Sequence, residues 1–184
     1  LMAKLTDYTS FADAQAHANS AALWELFDGD REYFNIAHEC MIRHVDGAGR
    51  PAVRIAHADG TDEILSFDEI AARSAQFAHW LVDQGIQPGD RIAFMLEPSL
   101  PFYTSLFGAM MMGAISVPLF TLFGLDGLRL RVDDCKPSLL VTNAEKFDIA
   151  KQVEGLNIVV ANAGLLDEIS VYPTTFETRT KADD

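Results

Sequence analysis

A chain of 184 residues with 49% hydrophobic and 22% charged side chains has an ordinary globular composition and enough length for one domain with a real core. Its 14 basic and 27 acidic residues leave a formal charge of −13, which repels phosphate backbones and anionic headgroups, so no nucleic-acid partner is expected. Cys40 and Cys135 are the only cysteines, and without a recognisable signal peptide they argue against a disulfide scaffold and for a reducing compartment, by default the cytosol.

Leu1 precedes Met2, a natural initiator, and is read as an added residue without functional weight. Residues 1–32 read as a loose lead-in, with Trp24, Leu26 and Phe27 free to dock on something larger. Asn35 suits the cap of a helix over Ile36 to His44, and Asp46-Gly47-Ala48-Gly49 then breaks the chain. Cys40, in that helix, is expected to be a small buried apolar residue. Val53 to Ala58 and Glu63 to Leu65, around Asp59-Gly60, predict a β-hairpin. Ser66 and Glu69 stand at capping-box spacing, and Phe67, Ile70, Ala71, Ser74, Phe77, Ala78 and Leu81 mark one buried face of a helix ending near Gly85.

Pro88 and Gly89 fit the centre of a type II turn before a buried strand from Arg91 to Leu96. A helix from about Leu100 to Met112 follows, stopped by Gly113, and then a strand from Ala114 ended by Pro118. Helices near 126–135 and 145–153 alternate with strands near 138–142 and 156–160. Four strands alternating with three helices predict a mainly parallel α/β sheet built from βαβ units. After Gly164 the rhythm is lost, and residues 165–184 read as a connector, leaving 33–164 as the α/β unit.

The uncharged run from Pro98 to Leu125 is long enough to cross a bilayer core of roughly 30 Å. Six prolines and glycines punctuate it and its period changes near Gly113, so no transmembrane span is expected.

Gly85-Ile-Gln-Pro-Gly-Asp-Arg-Ile-Ala93, followed by Met111-Met-Gly-Ala-Ile-Ser-Val-Pro118, resembles the amino-terminal part of the adenylate-forming superfamily, which includes acyl-CoA synthetases. Ser66-Phe-Asp-Glu-Ile70 and Leu128 to Thr142 match further family phrases in the family's order, so the resemblance covers roughly residues 33 to 160. Phe34 to Glu39 and Phe123-Gly124 lean towards acetyl- or medium-chain acyl-CoA synthetases. The resemblance implies a larger, multi-subdomain fold and two half-reactions in the parent enzyme. A carboxylate attacks the α-phosphate of ATP, giving acyl-AMP and pyrophosphate, and a thiol, that of CoA, then attacks the mixed anhydride. Magnesium accompanies the nucleotide.

Nowhere does the sequence carry the Gly/Ser/Thr-rich loop and lysine that such enzymes wrap around the ATP phosphates. Thr174-Thr175 lacks a glycine, and Ala182-Asp183-Asp184 resembles only the lead-in to that loop. The family's ribose-gripping acid and carboxy-terminal lysine have no counterpart either. The expectation is therefore an amino-terminal fragment without catalytic residues of its own, binding no cofactor tightly and self-associating through apolar surface left by a missing half. The alternative is a stand-alone, non-catalytic α/β binding domain.

The resemblance implies that Phe123 and Gly124 pack the adenine of CoA, and that Lys151, with Lys146 as the alternative, meets its 3′-phosphate. The bland readings are a core phenylalanine, a turn glycine and solvated lysines. No metal site is expected: His38 and His44 do not share a helical face, and His17, His57 and His79 are isolated. Ser99 and Ser116 lack a nucleophile-elbow context, and Met110 to Met112 read as helix packing.

Overall fold

The computed structural model describes residues 3–184, so Leu1 and Met2 lie outside the described residues. The lead-in forms two short helices, α1 (Phe11–His17) and α2 (Ser20–Trp24). Their caps are local: the Ser10 hydroxyl accepts from the Asp13 amide, and the Asn19 side chain accepts from the Ala22 amide. Neither helix buries a residue.

Asn35 caps α3 (Ile36–Cys40), shorter than the helix expected to His44. The helix breaks at Met41, whose backbone is at φ −131° and ψ −61°, and a 3₁₀ turn over Ile42–His44 follows. The break lets Ala37 enter the main core while Met41 turns into a separate cluster with Leu65, Ile70 and Ala71 under the hairpin. Cys40 is exposed, against the expectation of burial, because it shares the outer side of α3 with Ile36, one turn back, and Ala37 and Met41 take the inner side. Cys135 is partly buried, and its thiol pKa is pushed up mainly by burial, with Asp134 adding to it. Alkylation by iodoacetamide at pH 8 should therefore modify Cys40 several-fold faster than Cys135, which peptide mass mapping would read; the reverse order would contradict the placement of α3.

The hairpin pairs β1 (Pro51–Ala56) with β2 (Asp62–Ser66), and Arg54 meets Asp62 across it. Ser66 then caps α4 (Phe67–Asp83), which buries the whole predicted face except the half-buried Phe67, together with Ala75, Gln76 and Trp80. Gly89, at φ 85°, sits in the turn closed by the Asp90 amide on the Gln87 carbonyl. The βαβ alternation follows as β3 (Arg91–Met95), α5 (Leu100–Met112), β4 (Ile115–Pro118), α6 (Leu125–Cys135), β5 (Leu139–Thr142), α7 (Ala144–Ala150) and β6 (Ile158–Val160). All four strands are parallel, in the order β4-β3-β5-β6.

Strand alternation splits the core into two layers. Ile92, Phe94, Leu139 and Val141 face α4 and α5, whereas Ala93, Met95 and Leu140 face Leu128 of α6 and Ala150 of α7. Met111 and Met112 lie in the first layer, as helix packing. The boundary expected at 164/165 falls inside a helix, α8 (Ala163–Ile169), which buries Leu165 and Ile169 against the α4 layer and receives the Trp80 indole N–H on Glu168 at 2.8 Å. Seven residues are too few for a helical period to stand out, so its burial on α4 decides it. Among the described residues no helix is long and apolar enough to cross a membrane.

Candidate functional site

In an open parallel sheet, ligands gather outside the carboxyl ends of the strands, where successive crossovers leave for opposite faces. Here β3 feeds α5 on one face, and β4 and β5 feed α6 and α7 on the other, so the crevice opens between β3 and β5. Three segments build its rim: residues 96–99 after β3, 119–124 after β4 and Asn143 after β5. The rim is fixed by hydrogen bonds. The Thr121 hydroxyl donates to the Glu97 carboxylate, Ser99 caps α5, and the buried Thr142 hydroxyl donates to the Met95 carbonyl at 3.1 Å. Asn143 caps α7 by accepting from the Lys146 amide at 2.9 Å.

Phe123 stands at the rim just ahead of α6, half-buried against Leu128 and its neighbours. Its ring meets Phe120 edge-on at 6.0 Å, and the Arg131 guanidinium lies over it, 4.7 Å from the centroid. Gly127 makes this possible. A Cβ there would sit 3.3 Å from the Phe123 ring, so glycine lets the ring lie along the helix and Arg131, one turn further, reach across. Gly124, at φ −77°, needs no glycine for its backbone, and a Cβ there would meet nothing within 4 Å, so the space beside Phe123 opens outward.

The two lysines separate. Lys146 is in the first turn of α7 at the rim, with a side chain only 19% exposed and its ammonium 2.7 Å from Glu145. Lys151 closes the far end of α7, about 7.5 Å further along the axis at 1.5 Å per residue. Its side chain is 55% exposed, and its ammonium is held by Asp148 at 2.5 Å. Phe123, Gly124 and Lys146 thus share the rim, whereas Lys151 does not. Arg131 escaped the sequence reading, although Phe123, Gly127 and Arg131 are spaced i, i+4, i+8, which puts them on one helical face. The Phe123 ring and the Arg131 guanidinium over it form a surface suited to a flat, anionic group, and Lys146 adds a cationic side chain elsewhere on the rim. Among the described residues no group of three or more His, Cys, Asp or Glu side chains converges to hold a metal, so no residue here is assigned to magnesium.

A four-stranded parallel sheet with helices on both faces, and a crevice at the carboxyl ends of its strands, defines an open α/β protein in general terms. Comparison with known proteins gives the particular family: the chain belongs to the AMP-binding enzymes, whose family model matches residues 45–183. The acetyl-coenzyme A synthetase of Thiobacillus denitrificans is 29% identical over 136 residues, which is 73% of this chain and 20% of that protein. The acyl-CoA synthetase of Brucella canis superposes with a TM-score of 0.81 at 26% identity, over 93% of this chain and 34% of its own. ATP-bound MatB from Rhodopseudomonas palustris gives 0.66 at 26% identity, over 82% of this chain and 30% of its own. The chain therefore spans about a fifth of the length of the acetyl-coenzyme A synthetases it matches and about a third of the solved structures.

Proposed function

We propose that this chain is the amino-terminal part of an ATP-dependent, AMP-forming acyl-CoA synthetase, with residues 1–32 as lead-in, 33–164 as the α/β subdomain and 165–184 leading towards the phosphate-binding loop. One observation carries the reading: the hairpin, the four-stranded parallel sheet and its helices superpose over 93% of the chain on an acyl-CoA synthetase, within a family match from residue 45 to 183. The parent enzyme joins a carboxylic acid to AMP with release of pyrophosphate, then passes the acyl group to the thiol of CoA with release of AMP. Magnesium, when bound with ATP, would supply screening of the triphosphate charge, and no described residue of this chain is assigned to hold it.

Within this reading the chain supplies scaffold and a coenzyme contact rather than adenylation chemistry. Phe123 offers a ring face to adenine once Arg131 swings to the phosphates, Gly124 leaves room for close approach, and Lys146 adds positive charge at the rim. Lys151 is the weaker contact, because it lies at the other end of α7. Ile115, Phe120 and Leu122, exposed along the β4 edge and the rim, supply the apolar surface for self-association of the isolated chain. The unpaired Cys40 and Cys135 support a reducing compartment such as the cytosol.

The test is in two parts. Given ATP, magnesium, acetate and CoA, the 184 residues should release no pyrophosphate above background, and measurable release would overturn the non-catalytic part of the reading. CoA at millimolar concentration should shift the amide resonances of Phe123, Gly124 and Lys146 in a heteronuclear NMR titration, with the shifts lost in Phe123→Ala; no shift at these residues would remove the coenzyme contact.

A further inference from the structure

Not one residue from 3 to 34 is buried, yet this stretch is folded onto the molecule. Its helices, of seven and five residues, are too short to stand alone in water. Its apolar attachment is small: the rings of Trp24, Phe27 and Phe34 meet edge to face, with centroids 5.3 to 5.8 Å apart. What pins it is a charged group that the proposed reaction does not use. The Glu39 carboxylate on α3, its side chain 5% exposed, accepts from the Asp28 amide at 3.0 Å and the Gly29 amide at 2.8 Å. Its other oxygen meets the Arg43 guanidinium at 2.5 Å. Arg43 in turn donates to the Leu26 carbonyl at 2.9 Å and pairs with Asp28 at 2.9 Å, while the His38 ring nitrogen lies 3.2 Å from the same Asp28 carboxylate.

We propose that residues 3–29 form a strap, latched onto the α/β unit by the buried Glu39 carboxylate and released as one piece while the sheet stays folded. A hinge is already built on the carboxyl side of the latch. The Asp30 carboxylate accepts from the Glu32 and Tyr33 amides at 2.8 and 2.9 Å, bonds that hold its pKa below the usual carboxylate range and need nothing from the rest of the molecule. Beyond the hinge the chain is sewn in independently, because Asn35 donates to the Met110 carbonyl and the Thr180 hydroxyl, and the Phe34 amide donates to the Thr180 carbonyl. Opening therefore stops near Asp30. It costs no buried apolar residue of the strap; what is lost is the carboxylate bonds, the Arg43 bond to the Leu26 carbonyl and the edge contacts of two rings. Gly29 makes the latch close-fitting: a Cβ there would stand 2.5 Å from the Tyr33 carbonyl oxygen and 3.3 Å from Glu39 Oε1.

Hydrogen exchange of the full chain, followed by mass spectrometry, tests the strap. In Glu39→Ala the amides of α2 and of residues 26–29 should exchange about a hundredfold faster, while those of β3 and β5 stay within a factor of about three of the native chain. Gly29→Ala should give the same pattern from the strap side, with no residue of the α/β unit substituted. Unchanged exchange over 26–29 in both variants would overturn the latch. Equal acceleration in β3 and β5 would show that Glu39 supports the whole core, and would overturn it too.

Discussion

Gly108→Val is expected to lower the stability of the domain by about 3 kcal/mol or more, a large share of the 5–15 kcal/mol typical of a natural domain. Gly108 lies in the middle of α5 where it crosses α4. A Cβ built on it would stand 2.7 Å from the Ser74 carbonyl oxygen and 2.9 Å from the Phe77 ring. The first of these is backbone and the second a ring with no exposed surface, so neither can move aside cheaply. Helix propensity predicts the opposite sign, because glycine inside a helix costs about 1 kcal/mol relative to alanine. The comparison of Gly108→Ala with Gly108→Val separates the two effects. If the crossing decides, alanine destabilises by about 1–2 kcal/mol and valine by more, read as falling urea midpoints with an unchanged slope. A stability gain in the alanine variant would mean that the helices are not held at this distance.

Asn35→Asp should be at least as damaging as Asn35→Ala, although aspartate is as good a helix cap as asparagine. Asn35 is 6% exposed and uses both ends of its amide. Its oxygen accepts from the His38 amide at 3.0 Å, while its nitrogen donates to the Met110 carbonyl at 2.8 Å and the Thr180 hydroxyl at 3.0 Å. An aspartate keeps the cap and turns the other end into an acceptor facing the Met110 carbonyl. A buried carboxylate oxygen without a donor then costs about 3 kcal/mol, against about 2 kcal/mol for the lost cap and orphaned carbonyl of the alanine variant. The sign with pH follows. Below about pH 4 the carboxyl is protonated and can donate, so the aspartate variant recovers part of its deficit there and loses it again as the pH rises. Denaturant melts of both variants at pH 3.5 and 7 would settle the matter; a pH-independent difference between them would exclude a donor role for this side chain.

Much of the fold is legible because its signals are local. The period of Phe67 to Leu81 marks α4, Gly113 ends α5 at φ 87°, and β3 announces itself as an unbroken apolar run. The recurring phrases from Gly85 to Pro118 carry the family, which the match over residues 45–183 bears out. The break in α3 was not legible, because Ala37 and Met41 belong to two different clusters and only the packed molecule shows that they do. Cys40 was misplaced for the same reason: its residue type favours burial, but the side of a five-residue helix is chosen by what lies beneath it.

By itself the sequence determined the order of the elements from the hairpin to β6, the parallel sheet and the kinship, since each rests on propensity and spacing along a few neighbouring residues. Only the tertiary structure decided that Arg131 covers Phe123, that Lys146 and not Lys151 stands at the rim, and that Asn35 joins Met110 to Thr180 across 75 and 145 residues. Contacts between residues that far apart leave no period in the chain, because the bonding partners are chosen by how the layers pack rather than by the residues beside them.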